Sequence, residues 1–353
     1  LNQPDTNKSD HFYWRVAGIV AIALLSILII LLVGFAFKVL LFVLAGILVA
    51  CFFRGIAAWI HDQTSLSMNW SLAAAVLVVL IVFTAAYLFL GPKIVEQANQ
   101  IAQKLPSSLE SAEQSLSRYW WGQKLTTLIP ENPQEALSES SGWASQTFGL
   151  VSSTFGIFAD LYIVVLLGTF FMVNPSPYVN GIVHMMPESK EHRTREVIKK
   201  VYITLQRWLT GKLLSMLIVA VFTWVGLLLL GVPLPLTLAL FAGLLAFIPN
   251  FGPIIALIPA VLLGFLEGPT TALYVVILYM GVQVVESNLI TPFIQREMVH
   301  LPLAMIIIAQ VTLGILVGGL GLILATPIVA VLMVFVQMIY IEDMLGKKIE
   351  NDG

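Results

Sequence analysis

One carboxylate draws attention by its position. Glu286 closes an apolar helical run, and Gln283, Ser287, Asn288 and Thr291 lie around it. Residues three and four apart share a helix face, so Gln283, Glu286 and Ser287 can present an amide, a carboxylate and a hydroxyl together. An ionisable group in such a run is costly unless it meets water or a partner, and there it can exchange a proton or hold a cation. The candidate binding set is Gln283, Glu286, Ser287 and Asn288, with Glu286 as the coupling group. The competing reading is a network that caps the helix and pairs with Arg296. Asp160, in another apolar run without polar neighbours, is the second coupling candidate, against a plain hydrogen bond to a neighbouring helix.

A backbone device precedes this helix. Two apolar arms, Leu234 to Ile248 and Ile254 to Leu266, flank Pro249-Asn250-Phe251-Gly252-Pro253, and Pro259 follows. Each arm is about 20 Å long at about 1.5 Å per residue, whereas a bilayer core is about 30 Å thick. Neither spans comfortably, which predicts a re-entrant hairpin whose tip is buried in protein or lines a cavity. Pro249, Pro253 and Pro259 leave carbonyls and amides free at that tip, where they can bind an ion or a polar solute. Asn250 and Gly252 therefore join the candidate site.

These residues need a membrane scaffold, and the composition supplies one. The chain has 353 residues, 58% hydrophobic and 11% charged, which predicts an all-α, polytopic helical membrane protein. A net charge of −2 offers no basic surface for nucleic acid. Cys51 alone allows no intramolecular disulfide. No G-x-x-x-x-G-K-[ST], HExxH or GxSxG occurs, and the five histidines, 11, 61, 184, 192 and 300, lack metal-ligand spacing. No ATP-driven pump, enzyme, cofactor or metal site is expected. Leu48-Val49-Ala50-Cys51 resembles a lipidation box, but the apolar run from Val16 is too long for a signal segment, and no cleavage is expected.

About eight apolar passages follow from the hydropathy pattern, broken hairpins included. Residues 1–92 hold membrane helices 1 to 3, with Tyr13-Trp14-Arg15 as an anchor, a turn near Lys38 between helices 1 and 2, and an interfacial linker from Arg54 to Asn69. Residues 93–146 form an extramembrane helical arm, in which Ile94, Ala98, Ile101, Leu105, Leu109, Ala112 and Leu116 make a heptad-like stripe. Residues 147–186 hold helix 4 and its exit loop, stopped at Asn174-Pro175-Ser176-Pro177. Residues 187–212 carry Lys190, Arg193, Arg195, Lys199, Lys200, Arg207 and Lys212 opposite Val197, Val201, Leu205 and Leu209, the pattern of an amphipathic helix lying in the interface. Residues 213–341 form the core, with a second passage broken at Gly318-Gly319-Leu320-Gly321 and an irregularity at Ala325-Thr326-Pro327. Gly314 with Gly318, and Gly264 with Gly268, read as close helix-packing pairs. A polar tail fills 342–353.

Placing the basic 187–212 stretch in the cytoplasm puts the arm outside and both termini inside, in agreement with the positive-inside rule. The two broken passages then enter from opposite sides, the arrangement of a site near the midplane.

The chain resembles the AI-2E family of bacterial membrane proteins, the autoinducer-2 exporter-like permeases. The resemblance rests on Trp208-Leu209-Thr210-Gly211-Lys212, Leu230-Gly231-Val232-Pro233, Ile248 to Ile254 with Pro259, Gln283-x-x-Glu286-x-Asn288-x-x-x-Pro292, and GGLGLILATPIVAV at 318–331. It implies a bacterial inner-membrane location, export of autoinducer-2 or a similar small polar solute, or sodium(lithium)/proton antiport, and assembly into a homo-oligomer, with a pentamer expected. Taken with the residues, it points to secondary-active efflux coupled to protons or sodium, with membrane lipid and a small solute, cation or proton as partners. The reading from a different class is a membrane scaffold that recruits a partner through the 93–146 arm.

Overall fold

The structure, a computed structural model, describes residues 6–88, 91, 92, 96, 150–290 and 302–347, helices joined by short breaks. Almost all of the 93–146 arm, together with Thr291, Pro292 and Arg296, lies outside the described residues. In chain order the helices are α1 (Thr6–Gln63), α2 (Met68–Leu88), α3 (Leu150–Val173), α4 (Ser176–His184), α5 (Glu188–Leu229), α6 (Pro235–Leu245), α7 (Phe251–Leu266), α8 (Pro269–Val285), α9 (Leu303–Val317) and α10 (Gly319–Phe335). α8 runs on into a wide π-helical turn over Glu286–Ile290, and α10 into another over Val336–Met344. Among the described residues five helices are long and apolar enough to cross a membrane, or six if the pair bent by 84° at Asn174-Pro175 is one span. α6, α7 and α9 are shorter apolar helices.

Three expected boundaries are missing. α1 continues through Lys38, where a turn between two helices was expected, and on through Arg54 to Gln63, where an interfacial linker was expected. A lysine can snorkel but does not break a helix, and no proline stands nearby to stop the hydrogen-bond ladder. Likewise α5 is one helix of 42 residues, so the basic 187–212 stretch does not lie flat in the interface as a separate element. Nothing between Thr210 and Leu214 terminates it, and Gly211 is simply buried in the helix. The irregularity expected at Ala325-Thr326-Pro327 is also absent, since α10 passes through Pro327.

α1 and α3 form an extensively packed pair. Lys38 meets Asp160, Gly46 meets Gly168, and the Arg54 Nε donates to the Met172 carbonyl at 2.8 Å. Both numbers rise together, so the two helices run parallel.

α5 is the axis of the rest. α6 descends antiparallel along it, with Gly243 against Met216 and Ala220, and with Phe247 edge-on to Trp208 at 5.7 Å between ring centroids. α7 returns and α8 descends again, packing Ala272 and Val275 on Gly264. Leu227, Leu238, Leu263 and Val275 form the fully buried centre of this four-helix group. α9 and α10 make a second broken hairpin on another part of α5. Leu324 of α10 joins Leu205, Trp208 and Leu209 of α5 with Leu41 and Leu48 of α1 in one core, and Val317 and Phe247 pack against it. Further along α10, Arg193 of α5 is held by the Met338 carbonyl and the carboxylates of Glu342 and Asp343. The two breaks thus approach α5 from opposite ends and meet at the level of Trp208.

Each break has its own backbone cause. At Gly318 the chain adopts φ 73°, ψ −145°, a conformation open to glycine, and turns α9 into α10. Gly318 and Gly268 are therefore turn residues, not halves of packing motifs, while Gly264 does pack closely as expected.

Candidate functional site

The Glu286 carboxylate sits where α8 widens into its π-helical turn and faces α5. Its Oε1 accepts a hydrogen bond from the Ser215 hydroxyl at 2.8 Å, and its Oε2 accepts one from the Gln283 amide at 3.0 Å. The Lys212 ammonium stands 3.6 Å from Oε1, and the side chains of Lys212 and Glu286 are 11% and 13% exposed. Both carboxylate oxygens are therefore engaged, and the charge of each residue is balanced by the other in a largely dry place. A buried pair of this kind is weak evidence for stability, because desolvation offsets much of the attraction. It is better suited to exchange: a cation or a proton reaching the carboxylate competes directly with the ammonium.

Ser287 and Asn288 do not join this cluster. The Ser287 hydroxyl donates to the Gln283 carbonyl at 2.7 Å, the Asn288 amide donates to the Val284 carbonyl at 3.0 Å, and both residues are exposed. The π-helical turn begins at Glu286, and the wider winding removes the face-sharing expected from α-helical spacing.

The hairpin tip forms a second polar node. Asn250 adopts φ 67°, ψ −48°, and the Phe251 N–H donates across it to the Pro249 carbonyl at 2.8 Å, which makes a γ-turn of the rare and strained positive-φ form. Gln310 from the middle of α9 is fully buried and holds this turn with both ends of its amide. Its Nε2 donates to the Pro249 carbonyl at 2.9 Å, and its Oε1 accepts from the Asn250 Nδ2 at 3.4 Å. Gly252 lies so close to the Leu245 carbonyl that a Cβ would collide with it. Pro253 falls in the first turn of α7, and Pro259 is inside that helix without ending it.

Asp160 pairs with Lys38 at 3.3 Å between α3 and α1, the side chains 31% and 44% exposed. It has the partner that its own apolar run lacked.

Comparison with known proteins gives the family. The family model described as AI-2E family transporter matches residues 19–341. The chain belongs to the AI-2E transporter family. It is 23% identical to YueF of Bacillus subtilis (strain 168) over 93% of each chain. It is 33% identical to YrrI of the same organism over 47% of each chain, and 26% identical to sll0063 of Synechocystis over 71% of this chain and 65% of the relative. The names of these relatives point to transport and give no substrate.

This AI-2E family chain carries site residues that the sequence reading missed. Lys212 stood among basic surface residues, and Ser215 and Gln310 stood unmarked in apolar runs. For Gln310 the available signal was the rarity of a glutamine in an otherwise apolar helix, which asks for a partner elsewhere in the chain, whereas Lys212 closes a basic stretch and carried no such signal.

Proposed function

We propose that this membrane transport protein is a secondary-active exporter of a small polar solute, driven by a proton or sodium ion that exchanges at Glu286. The observation carrying this is the buried Lys212–Glu286 pair at 3.6 Å, held by Ser215 and Gln283 beside the α6–α7 hairpin. An ion that displaces the ammonium frees Lys212 and changes the charge of the α5–α8 contact, which is the local event a coupled carrier requires. Autoinducer-2 is the first solute to test, since the family takes its name from it. Sodium(lithium)/proton antiport is the second reading, and the same pair favours it, because it needs no organic solute site.

The α6–α7 pair is proposed as re-entrant, on arms of 11 and 16 residues and a tip satisfied by Gln310 instead of lipid. We place the protein in the bacterial inner membrane with the basic start of α5 and the C-terminus in the cytoplasm. The parallel packing of α1 and α3 supports the same crossing direction for both. With no turn at Lys38, the crossing that brought the N-terminus to the cytoplasmic side drops out, and the N-terminus has no support there. Lipid is the proposed neighbour of the exposed apolar residues of α2 and α8, such as Phe83, Ile81, Ile277 and Met280, alongside contacts in a homo-oligomer that the family resemblance puts at five subunits. The scaffold reading rests on the 93–146 arm, almost all of which lies outside the described residues.

The test is sodium-induced proton movement in proteoliposomes, followed by autoinducer-2 efflux, for wild type and Glu286→Gln. Loss of both signals in a folded variant is expected. Wild-type flux in Glu286→Gln refutes the coupling role.

A further inference from the structure

Among the described residues, Thr223 of α5 and Tyr279 of α8 each bury a hydroxyl without a hydrogen-bond partner. Thr223 is 1% exposed and Tyr279 7%. Their positions are not independent of the Glu286 cluster. On α5, Lys212, Ser215, Val219 and Thr223 follow at spacings of three and four, which is one helix face; on α8, Tyr279, Gln283 and Glu286 do the same. The helices run antiparallel, since Ser215 meets Glu286 at one end and Gly226 meets Leu278 at the other. The two orphan hydroxyls therefore lie in the same stretch of the same seam, on the side of Glu286 that leads toward the C-terminal end of α5. Val219 and Val282, both buried in one core cluster, stand along their helices between these hydroxyls and the Glu286 cluster.

A buried hydroxyl left without a partner is destabilising, and phenylalanine or valine would fill these places without that penalty. Ser71 and Thr326 also bury unpartnered hydroxyls, but Thr223 and Tyr279 are the two that share helices with the Glu286 cluster. Hydroxyls both donate and accept, so they can anchor a file of water and pass a proton in either direction. Seven residues separate Tyr279 from Glu286, a rise of about 10 Å, which a file of two or three waters bridges. We propose that the α5–α8 seam is the proton path to Glu286, with Thr223 and Tyr279 as its station and Val219 with Val282 as the apolar barrier that closes it in this conformation. The proposal rests on the coupling role of Glu286 and adds the route.

The substitutions that test it remove the hydroxyls and little else: Tyr279→Phe, Thr223→Val and the double variant. Full-length protein is measured for thermal unfolding in detergent, for sodium protection against that unfolding as a readout of the Glu286 site, and for proton flux in proteoliposomes. Removing orphan hydroxyls leaves the unfolding temperature unchanged or raises it, so lost flux cannot come from lost folding. Sodium protection is retained, because the Glu286 cluster is intact. Proton flux in the double variant falls by about tenfold or more, since a proton crossing apolar surroundings has lost both hydroxyl anchors of this stretch. Val219→Ala raises basal proton leak in the absence of sodium. Flux within twofold of wild type in the double variant overturns the path. If that happens while Glu286→Gln abolishes flux, the coupling reading stands and only the route is lost; if Glu286→Gln also keeps its flux, both fall together.

Discussion

Lys212 and Glu286 offer a way to measure whether the pair acts as a unit. Lys212→Met removes the ammonium but leaves the carboxylate with the Ser215 and Gln283 donors, one on each oxygen. The loss is then that of a weakened but partnered buried anion, about 2 kcal/mol. Glu286→Gln is harsher, because Lys212 is left 11% exposed with no anion beside it, and the cost lies near the lower end for broken buried pairs, about 3 kcal/mol. In the double variant neither charge is stranded, and the neutral thioether and amide together cost about 1 kcal/mol relative to wild type. Additive behaviour would give about 5 kcal/mol for the double variant, so the coupling is about 4 kcal/mol, just above the usual range for residues in contact because both charges are desolvated.

For a chain of this length each kcal/mol moves the unfolding midpoint by about 2 °C. The single variants are expected about 4 and 6 °C below wild type, and the double variant above both. Melting in detergent is scan-rate dependent, so all four proteins are compared at one rate. Flux in proteoliposomes is lost in all three variants, because none retains an exchangeable pair. A double variant that melts at the sum of the single losses refutes the exchange mechanism, since Lys212 and Glu286 would then be independent neighbours.

Two further outcomes concern the hairpin tip. Gly252→Ala places a methyl group on the Leu245 carbonyl, a backbone atom that cannot move aside, and is expected to cost about 1–3 kcal/mol and to impair transport, read from monodispersity after heating and from flux. Gly281→Ala, which meets nothing within 4 Å, is the matched control and melts no lower than wild type. Gln310→Leu takes one of two donors from the Pro249 carbonyl, which keeps the Phe251 N–H, and removes the acceptor of the Asn250 amide, and hydrogen exchange over 246–252 speeds up while α5 keeps its protection; unchanged exchange refutes the role given to Gln310.

What could be read from the sequence follows from whether the cause is local. Pro249 disrupts the helix by its own backbone chemistry and stands in the break between α6 and α7, with Gly252 and Pro253 in the first turn of α7 just beyond it. Glu286 and Gln283 were legible as companions because they are one turn apart. Lys212 and Ser215 were not, because Ser215 reaches Glu286 across 71 positions of sequence, and a helix face does not announce which other helix it will meet. Ser287 and Asn288 were misplaced for a subtler reason, as the spacing rule assumes α-helical winding and α8 abandons it at Glu286. The expected turn at Lys38 failed because charge was taken as punctuation, whereas only proline, glycine or an unmet backbone group stops a helix.

Under the proposed function, the two polar nodes divide the labour of a carrier. At the tip, Asn250, Pro249 and Gln310 are neutral and can rearrange around a polar solute without moving a charge; at the α5–α8 contact, Lys212 and Glu286 hold the charges that an ion must disturb. Contact between the nodes runs through α5. Phe247, just before the tip, lies edge-on against Trp208, and Trp208 is four residues from Lys212, about 6 Å along the same helix. A tip that shifts to admit or release solute therefore pushes on α5 one turn from the ammonium. Conversely, an ion that releases Lys212 loosens the face of α5 on which the tip rests. The proposed coupling would need no long-range wire, only a stiff helix with the tip contact on one turn and the Lys212 charge on the next.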